Sequence, residues 1–372
     1  MSGAADDARF MAEAIELSLR HLGQTSTNPS VGCLIVKDGA IVGRGVTAKG
    51  GRPHAETEAL ADAGEKARGA TAYVTLEPCS HHGKTPPCAN ALVQAGIARV
   101  VVAVTDPDPR VSGRGLRILQ DGGITVSSGV LEAEARRALA GYLTRQTKGR
   151  PHVILKLAVS TDGMIGRKGD GQVAITGPLA RHQVQLLRAR TDAILVGIGT
   201  ALADDPELTV RLEGLEDRSP VRIVLDRDLV LPLDSKLVRT ARTVPLIVVC
   251  GAVSGDGLDG ERNGQATDAL VSQRAALEAC GVEIVGASSV DDLLFALASR
   301  GISSLMVEGG ARVARDFLAA DLVDEIQLYQ GATKVGADGI SSPLTAQTVP
   351  ARFRLLRSSH FGPDRLDVFE RA

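Results

Sequence analysis

The chain has 372 residues, a formal net charge of -2 and 44% hydrophobic residues, with aromatics at only 2% and no Trp. That length suggests two domains, at about 150 residues each, with core enough to need no disulfide staples. The near-neutral balance and scarce aromatics argue against phosphate-driven or base-stacking nucleic-acid binding. The opening MSGAADDARF lacks the basic and apolar regions of a signal peptide, and no run of about 18 apolar residues offers a membrane span, so the expected location is cytoplasmic.

Phe10, Ala14, Leu17 and Leu22 form a loose helical stripe closed by Gly23. Two apolar runs, 33–36 and 41–42, flank Lys37-Asp38-Gly39-Ala40, a strong hairpin signal. Pro53 opens an Ala-rich helix over 54–66. A short strand is expected over 72–76 and a helix over 88–95, stopped by Gly96. The continuous apolar run 100–104 reads as a strand covered on both faces. A strand over 124–127 and one helix over 132–146 follow.

The polar stretch Thr147-Lys148-Gly149-Arg150-Pro151 marks a boundary, beyond which the pattern restarts. Strands are expected at 153–159, 193–196, 221–225, 246–249, 282–285, 304–307 and 325–329. Helices are expected at 179–190, 269–279, 290–299 and 311–319, and 251–268 reads as an exposed loop. Alternating strands and helices imply an α/β sheet in each half.

His54, Glu56, Cys79 and Cys88 read as a catalytic zinc site. One imidazole and two thiolates give three ligands, and a catalytic zinc keeps its fourth position for water. Glu56, two residues from the histidine, is placed to move protons as the catalytic residue. H-x-E followed by P-C and a second Cys is the pattern of zinc nucleobase deaminases. Cys33, His81 and His82 remain as alternative ligands, and a closed structural zinc as an alternative use. Cys33, Cys250 and Cys280 otherwise read as buried reduced thiols.

In the second half the strand–glycine–helix run Val307-Glu308-Gly309-Gly310 suits close approach of a pyrophosphate to backbone N–H groups at a helix N-terminus. Taken alone, this turn and the Gly197/Gly199 pair are more often plain α/β architecture.

The sequence resembles the bifunctional deaminase/reductase family of riboflavin biosynthesis. The resemblance rests on Asn28-Pro29-Ser30-Val31-Gly32-Cys33, on Pro53-His54-Ala55-Glu56, and on TLEPCSHHGKTPPC from Thr75 to Cys88. It implies a cytidine-deaminase-like α/β/α domain over residues 1–147 and a dihydrofolate-reductase-like α/β domain over 151–372. It implies Zn²⁺ and NADPH as cofactors. The activities implied are deamination of a diaminopyrimidinone carrying a phosphoribosylamino group, then reduction of its ribosyl group to ribityl. Substrate contacts implied are Asn28, His81, Lys84 and Asp106 in the first half, and Arg188, Leu208, Arg211 and Glu308 in the second. Cofactor contacts implied are Ala158, Thr200, Asp204, Gly310, Ala311, Arg312, Val313, Ala314, Arg315 and Asp316, with Lys156 or Asp204 as proton source.

The expected partners are that small molecule and further copies of the chain, as dimer or tetramer, with no nucleic acid and no membrane. Three departures stand out: Thr47 where relatives often have His, Gln172 and Ala174 where they have Ser and Trp, and Arg227 where they have a small hydroxyl residue. Arg227 suits either a cofactor 2′-phosphate or the surface. A nucleic-acid-editing deaminase, and a deaminase with a non-catalytic second half, are the competing readings.

Overall fold

The computed structural model describes residues 3–80, 86–108, 111–167, 169, 171, 173–251 and 264–372. The chain divides into two compact units, Met1–Gly149 and Arg150–Ala372. Both are α/β.

In the first unit the strands are β1 (Gly32–Lys37), β2 (Ala40–Val46), β3 (Thr71–Leu76), β4 (Arg99–Val104) and β5 (Thr125–Ser128), in the order β2-β1-β3-β4-β5. β1 is antiparallel to β2 and β3, while β3, β4 and β5 run parallel. Asp38 and Gly39, at φ 51° and 77°, make the two-residue turn between β1 and β2. Such positive φ values favour this residue pair. β4 is buried at every position after Arg99, as its unbroken apolar run requires.

The helices of this unit are α1 (Ala4–Ser18), α2 (Ala55–Ala63), α3 (Cys88–Gln94), α4 (Arg114–Asp121), α5 (Glu132–Ala138) and α6 (Ala140–Lys148). The single helix expected over 132–146 is in fact two. Leu139, at φ -98° and ψ 7°, leaves helical geometry between them, and its side chain is buried. α4 was not anticipated: its buried residues are only Gly115 and Leu119, so its apolar signal is thin. The helix expected over 54–66 is shorter, with His54 as N-cap and a 3-10 turn over Gly64–Ala67.

β2 lies almost backbone to backbone against α2. A Cβ on Gly45 would fall 2.0 Å from the Ala55 carbonyl oxygen, and one on Gly43 2.3 Å from that of Ala59. Glycine at both positions lets the helix that follows His54 seat on the sheet.

The second unit carries β6 (His152–Val159), β7 (Met164–Arg167), β8 (Ala193–Gly197), β9 (Val221–Leu225), β10 (Leu246–Cys250), β11 (Glu283–Gly286), β12 (Ser304–Glu308), β13 (Glu325–Gln330), β14 (Gly339–Ser341), β15 (Phe353–Phe361) and β16 (Asp364–Arg371). Nine of them form one sheet, β11-β10-β9-β8-β12-β6-β13-β16-β15, parallel from β11 through β13 and antiparallel at β16 and β15. β7 pairs with β14 separately. The C-terminal hairpin β15–β16 was not foreseen. β15 is mostly exposed and rich in Arg and Ser, so it has no apolar run to reveal it.

The helices here are α7 (Pro178–Arg188), α8 (Ile198–Asp204), α9 (Lys236–Arg239), α10 (Gly264–Ala279), α11 (Val290–Ser299) and α12 (Ala311–Ala319). α10 begins five residues before the helix expected at 269, so 264–268 is helix and not loop. The remainder of the expected loop, residues 252–263, lies outside the described residues. Among the described residues no helix is long and apolar enough to cross a membrane.

Candidate metal centre and reductase cleft

Each side chain of the proposed metal site owes its place to a local element. His54 is the N-cap of α2, and Glu56 lies in that helix's first turn. Cys79 falls in the loop three residues beyond β3. Cys88 is the first residue of α3.

His54 Nδ1 is 3.4 Å from Cys88 Sγ and 3.7 Å from Cys79 Sγ. The ligand atoms of all three residues lie within 4.8 Å of one another. Zinc–nitrogen and zinc–sulfur bonds at a tetrahedral angle hold such atoms about 3.6 Å apart. The donor set therefore fits a zinc ion through Nδ1 and two sulfurs, with one coordination place left over. Nε2 of His54 is buried with no hydrogen-bond partner among the described residues, so Nδ1 is the nitrogen facing the sulfurs.

The electrostatics suit a cation. The hydrogen bond from Cys88 lowers the Cys79 thiol to about 4, with further help from His54 and the Cys88 backbone N–H, which donates to Cys79 Sγ at 3.3 Å. A thiolate is the form that binds metal. Glu56 is buried and hydrogen-bonded with the Cys88 thiol. Burial, reinforced by the negative charge of Cys79, pushes Glu56 up to about 7. Cys33 is fully buried, and burial together with the charge of Glu56 raises its thiol well above its ordinary value. It stays outside the ligand cluster.

Around this centre, Asn28 lies against Gly51. A Cβ at Gly51, at φ 90°, would meet Asn28 Nδ2 at 2.3 Å, so the approach requires glycine. Asp106 is buried, and both its oxygens accept from Tyr142 Oη, at 3.0 and 3.1 Å, while Oδ1 also accepts from the Asp108 N–H at 2.9 Å. His81 and Lys84 lie outside the described residues. Thr47 is buried, and its hydroxyl accepts from the Val31 N–H at 2.9 Å, which ties it to the backbone entering β1.

Two residues missed in the sequence support the site. Tyr142 sits under Asp106. Glu77 is buried and accepts N–H groups from Asp106, Gly113, Gly115 and Leu116, binding that loop to the segment that carries Cys79. The signal for Glu77 was present: a carboxylate between an apolar strand and a proline has few reasons to be buried other than to collect backbone donors.

In the second unit a cleft of about 1330 Å³ opens at the carboxyl ends of β6, β8, β9 and β12. Open parallel sheets place ligand sites there. Its floor holds a charged cluster: Glu308 takes Lys156 Nζ at 2.9 Å on one oxygen and Arg188 Nη2 at 2.7 Å on the other. Burial raises the Glu308 carboxyl, but the charges of Arg188 and Lys156 outweigh it and hold it at about 2.

Leu208 and Arg211 also face the cleft, as do Ala158, Thr200 and Asp204. Leu208 takes a left-handed φ of 56°. Gly310 is the N-cap of α12, and a Cβ on Gly309 would approach Thr200 Oγ1 at 3.1 Å, so Thr200 packs on the glycine turn. Ala311, Arg312, Val313, Arg315 and Asp316 line the cleft from α12. The Ala314 side chain is fully buried in the core cluster and is not part of the lining. Ala174 and Arg227 are at the lining, and Gln172 lies outside the described residues. Sequence reading missed Arg181 and Gln185, which line the cleft seven and three residues before Arg188. That helical spacing was the available signal.

Comparison with known proteins decides the family. Residues 4–104 match the cytidine and deoxycytidylate deaminase zinc-binding region, and residues 151–366 match the RibD C-terminal domain. The riboflavin biosynthesis protein RibD of Escherichia coli is 40% identical over 96% of this chain and 97% of its own length. The chain belongs to the RibD family. RibD of Aquifex aeolicus is 40% identical, covering 90% of this chain and 89% of that protein. Among solved structures, Acinetobacter baumannii RibD aligns with a TM-score of 0.82 at 37% identity over 99% of both chains. A Thermotoga maritima deaminase/reductase aligns with a TM-score of 0.84 at 34% identity, again over 99% of both. Like its family, the chain is a bifunctional deaminase and reductase of riboflavin biosynthesis, using zinc and NADPH.

Proposed function

We propose that the segment 1–147 performs the deamination and 151–372 the reduction, each through the residues described above. The Thermotoga relative is titled a diaminohydroxyphosphoribosylaminopyrimidine deaminase and 5-amino-6-(5-phosphoribosylamino)uracil reductase, and we carry those two substrates to this chain. The observation that carries the reading is the convergence of His54 Nδ1 with both sulfurs beside the buried Glu56.

In the first reaction His54, Cys79 and Cys88 would hold the zinc, and that ion would supply Lewis acidity near neutral pH. Glu56 accepts a proton from the attacking water and returns it to the departing amine. The ring carbon exchanges its C–N bond for a C–O bond, and ammonia leaves. Asn28 and Asp106 orient the pyrimidine, with His81 and Lys84 on the same substrate.

For the second reaction the cleft would hold NADPH, which when bound would supply the hydride for reducing the ribose carbon. Thr200, Gly310 and the first turn of α12 would hold the cofactor, with Ala158 and Asp204 lining the same cleft. Glu308, Leu208, Arg188 and Arg211 would contact the substrate, with the arginine side of the cleft toward its phosphate. The proton that completes the reduction comes from Lys156 or from Asp204, whose carboxyl burial pushes up. Cytoplasmic residence and self-association as dimer or tetramer belong to this proposal, and fractionation with analytical ultracentrifugation reads both.

The test is a coupled assay on full-length protein with metal analysis. The diaminopyrimidinone phosphate should be deaminated only by zinc-loaded protein, and NADPH absorbance should fall only once the deaminated product is present. NADPH consumption absent under those conditions would leave a deaminase with an inert second half.

A further inference from the structure

α7 presents Arg181, Gln185 and Arg188 to the cleft. Their spacing places them along one helix face, about 6 Å and then about 4.5 Å apart along the axis. The two arginines differ in what they have left to offer. Arg188 is buried, gives Nε and Nη2 to Glu308 at 3.2 and 2.7 Å, and gives Nη1 to the Thr209 carbonyl at 3.2 Å. It shares the one negative charge of Glu308 with Lys156, and all three of its guanidinium nitrogens are engaged. Arg181 is exposed and gives one N–H to the Thr176 carbonyl at 2.6 Å. Among the described residues no carboxylate pairs with Arg181 or with Arg211. The Arg211 N–H donates to Gln185 Oε1 at 2.8 Å, which fixes that backbone one helical turn from Arg181.

We propose that Arg181 joins Arg211 in binding the phosphate of the reductase substrate, and that Arg188 serves chiefly to hold Glu308. This rests on the reductase reading above. A phosphate dianion is matched by two guanidinium forks that no carboxylate occupies, and those are Arg181 and Arg211.

The experiment is calorimetric binding of the phosphorylated aminouracil substrate and of its dephosphorylated form to full-length protein, without NADPH, with reductase kinetics alongside. Arg181→Ala should weaken the phosphorylated form about tenfold to a hundredfold, the range for hydrogen bonds to a charged group. It should leave the dephosphorylated form within twofold, raise KM more than it lowers kcat, and flatten the salt dependence of binding. Arg181→Lys should recover part of the loss, since it keeps the charge without the fork. Unchanged affinity in Arg181→Ala, with Arg211→Ala weakened, overturns the role of Arg181 and leaves the reductase reading standing. A wild-type protein that does not distinguish the two forms overturns both. Loss of NADPH affinity in Arg181→Ala, with substrate affinity intact, also overturns the proposal, because it moves Arg181 to the cofactor side.

Discussion

Arg188 Nη2 and Glu308 Oε2 meet at 2.7 Å on the floor of the cleft, where Lys156 holds the other carboxylate oxygen. The carboxyl is depressed from 4.5 to about 2 in the fold. A carboxylate with a depressed folded pKa stabilises the protein above its unfolded pKa, and that contribution fades as pH falls towards the folded value. We therefore expect Glu308 to stabilise the second unit above about pH 4.5 and to lose that effect between about pH 4.5 and 2. Glu308→Gln should lower the unfolding temperature at neutral pH and flatten the acid limb across that window. Parallel melting curves for the variant and the parent protein would contradict this.

Glu56→Gln should retain one zinc per chain and lose about a hundredfold to ten-thousandfold of deaminase kcat, the usual range for a general base. Plasma emission spectrometry and ammonia release check the two halves of the expectation. Substantial turnover with full zinc content would remove Glu56 from proton transfer.

Cys79→Ala and Cys88→Ala should each bind less zinc than the parent protein, because each leaves two of the three donors. Chelation of the parent should abolish deamination while NADPH oxidation on pre-deaminated substrate persists. Unchanged zinc content in either variant would refute the ligand set.

Tyr142→Phe removes the hydroxyl shared between both oxygens of Asp106. A hydrogen bond to a charged group contributes about 1.5–3 kcal/mol, so the first unit should lose stability on that order. If Asp106 orients the pyrimidine, the deaminase KM should rise more than kcat falls. An unaffected KM would confine the pair to stability.

The bidentate pair of Arg150 with Asp324, at 2.5 and 2.8 Å, is nearly buried. Burial raises the Asp324 carboxyl, but Arg150, His152 and the Val153 N–H together hold it below the usual carboxylate range. Arg150→Ala removes the bidentate cation from that carboxylate and should cost up to about 3 kcal/mol in chemical denaturation of the second unit.

Much of this was legible because the decisive signals are local. Asp38-Gly39 between apolar runs gave the hairpin, and the separation of His54 from Glu56 put ligand and proton carrier at one helix start. Other features depend on tertiary partners. The kink at Leu139 arises where the chain buries a leucine instead of continuing a helix of good formers. β15 is recognisable only through its ladder to β16. Glu77 and Tyr142 gain their meaning from a loop more than 25 residues away in sequence, as the Asp106 contacts show.

The contact of Gly45 with the Ala55 carbonyl has a mutational consequence. Backbone rests on backbone there, so no rotamer can rearrange to absorb an added methyl group, and even alanine would lever the helix start away from the sulfurs. Codon libraries at positions 43 and 45 should return glycine almost alone. The outward-facing Glu58 on the same helix should accept many replacements.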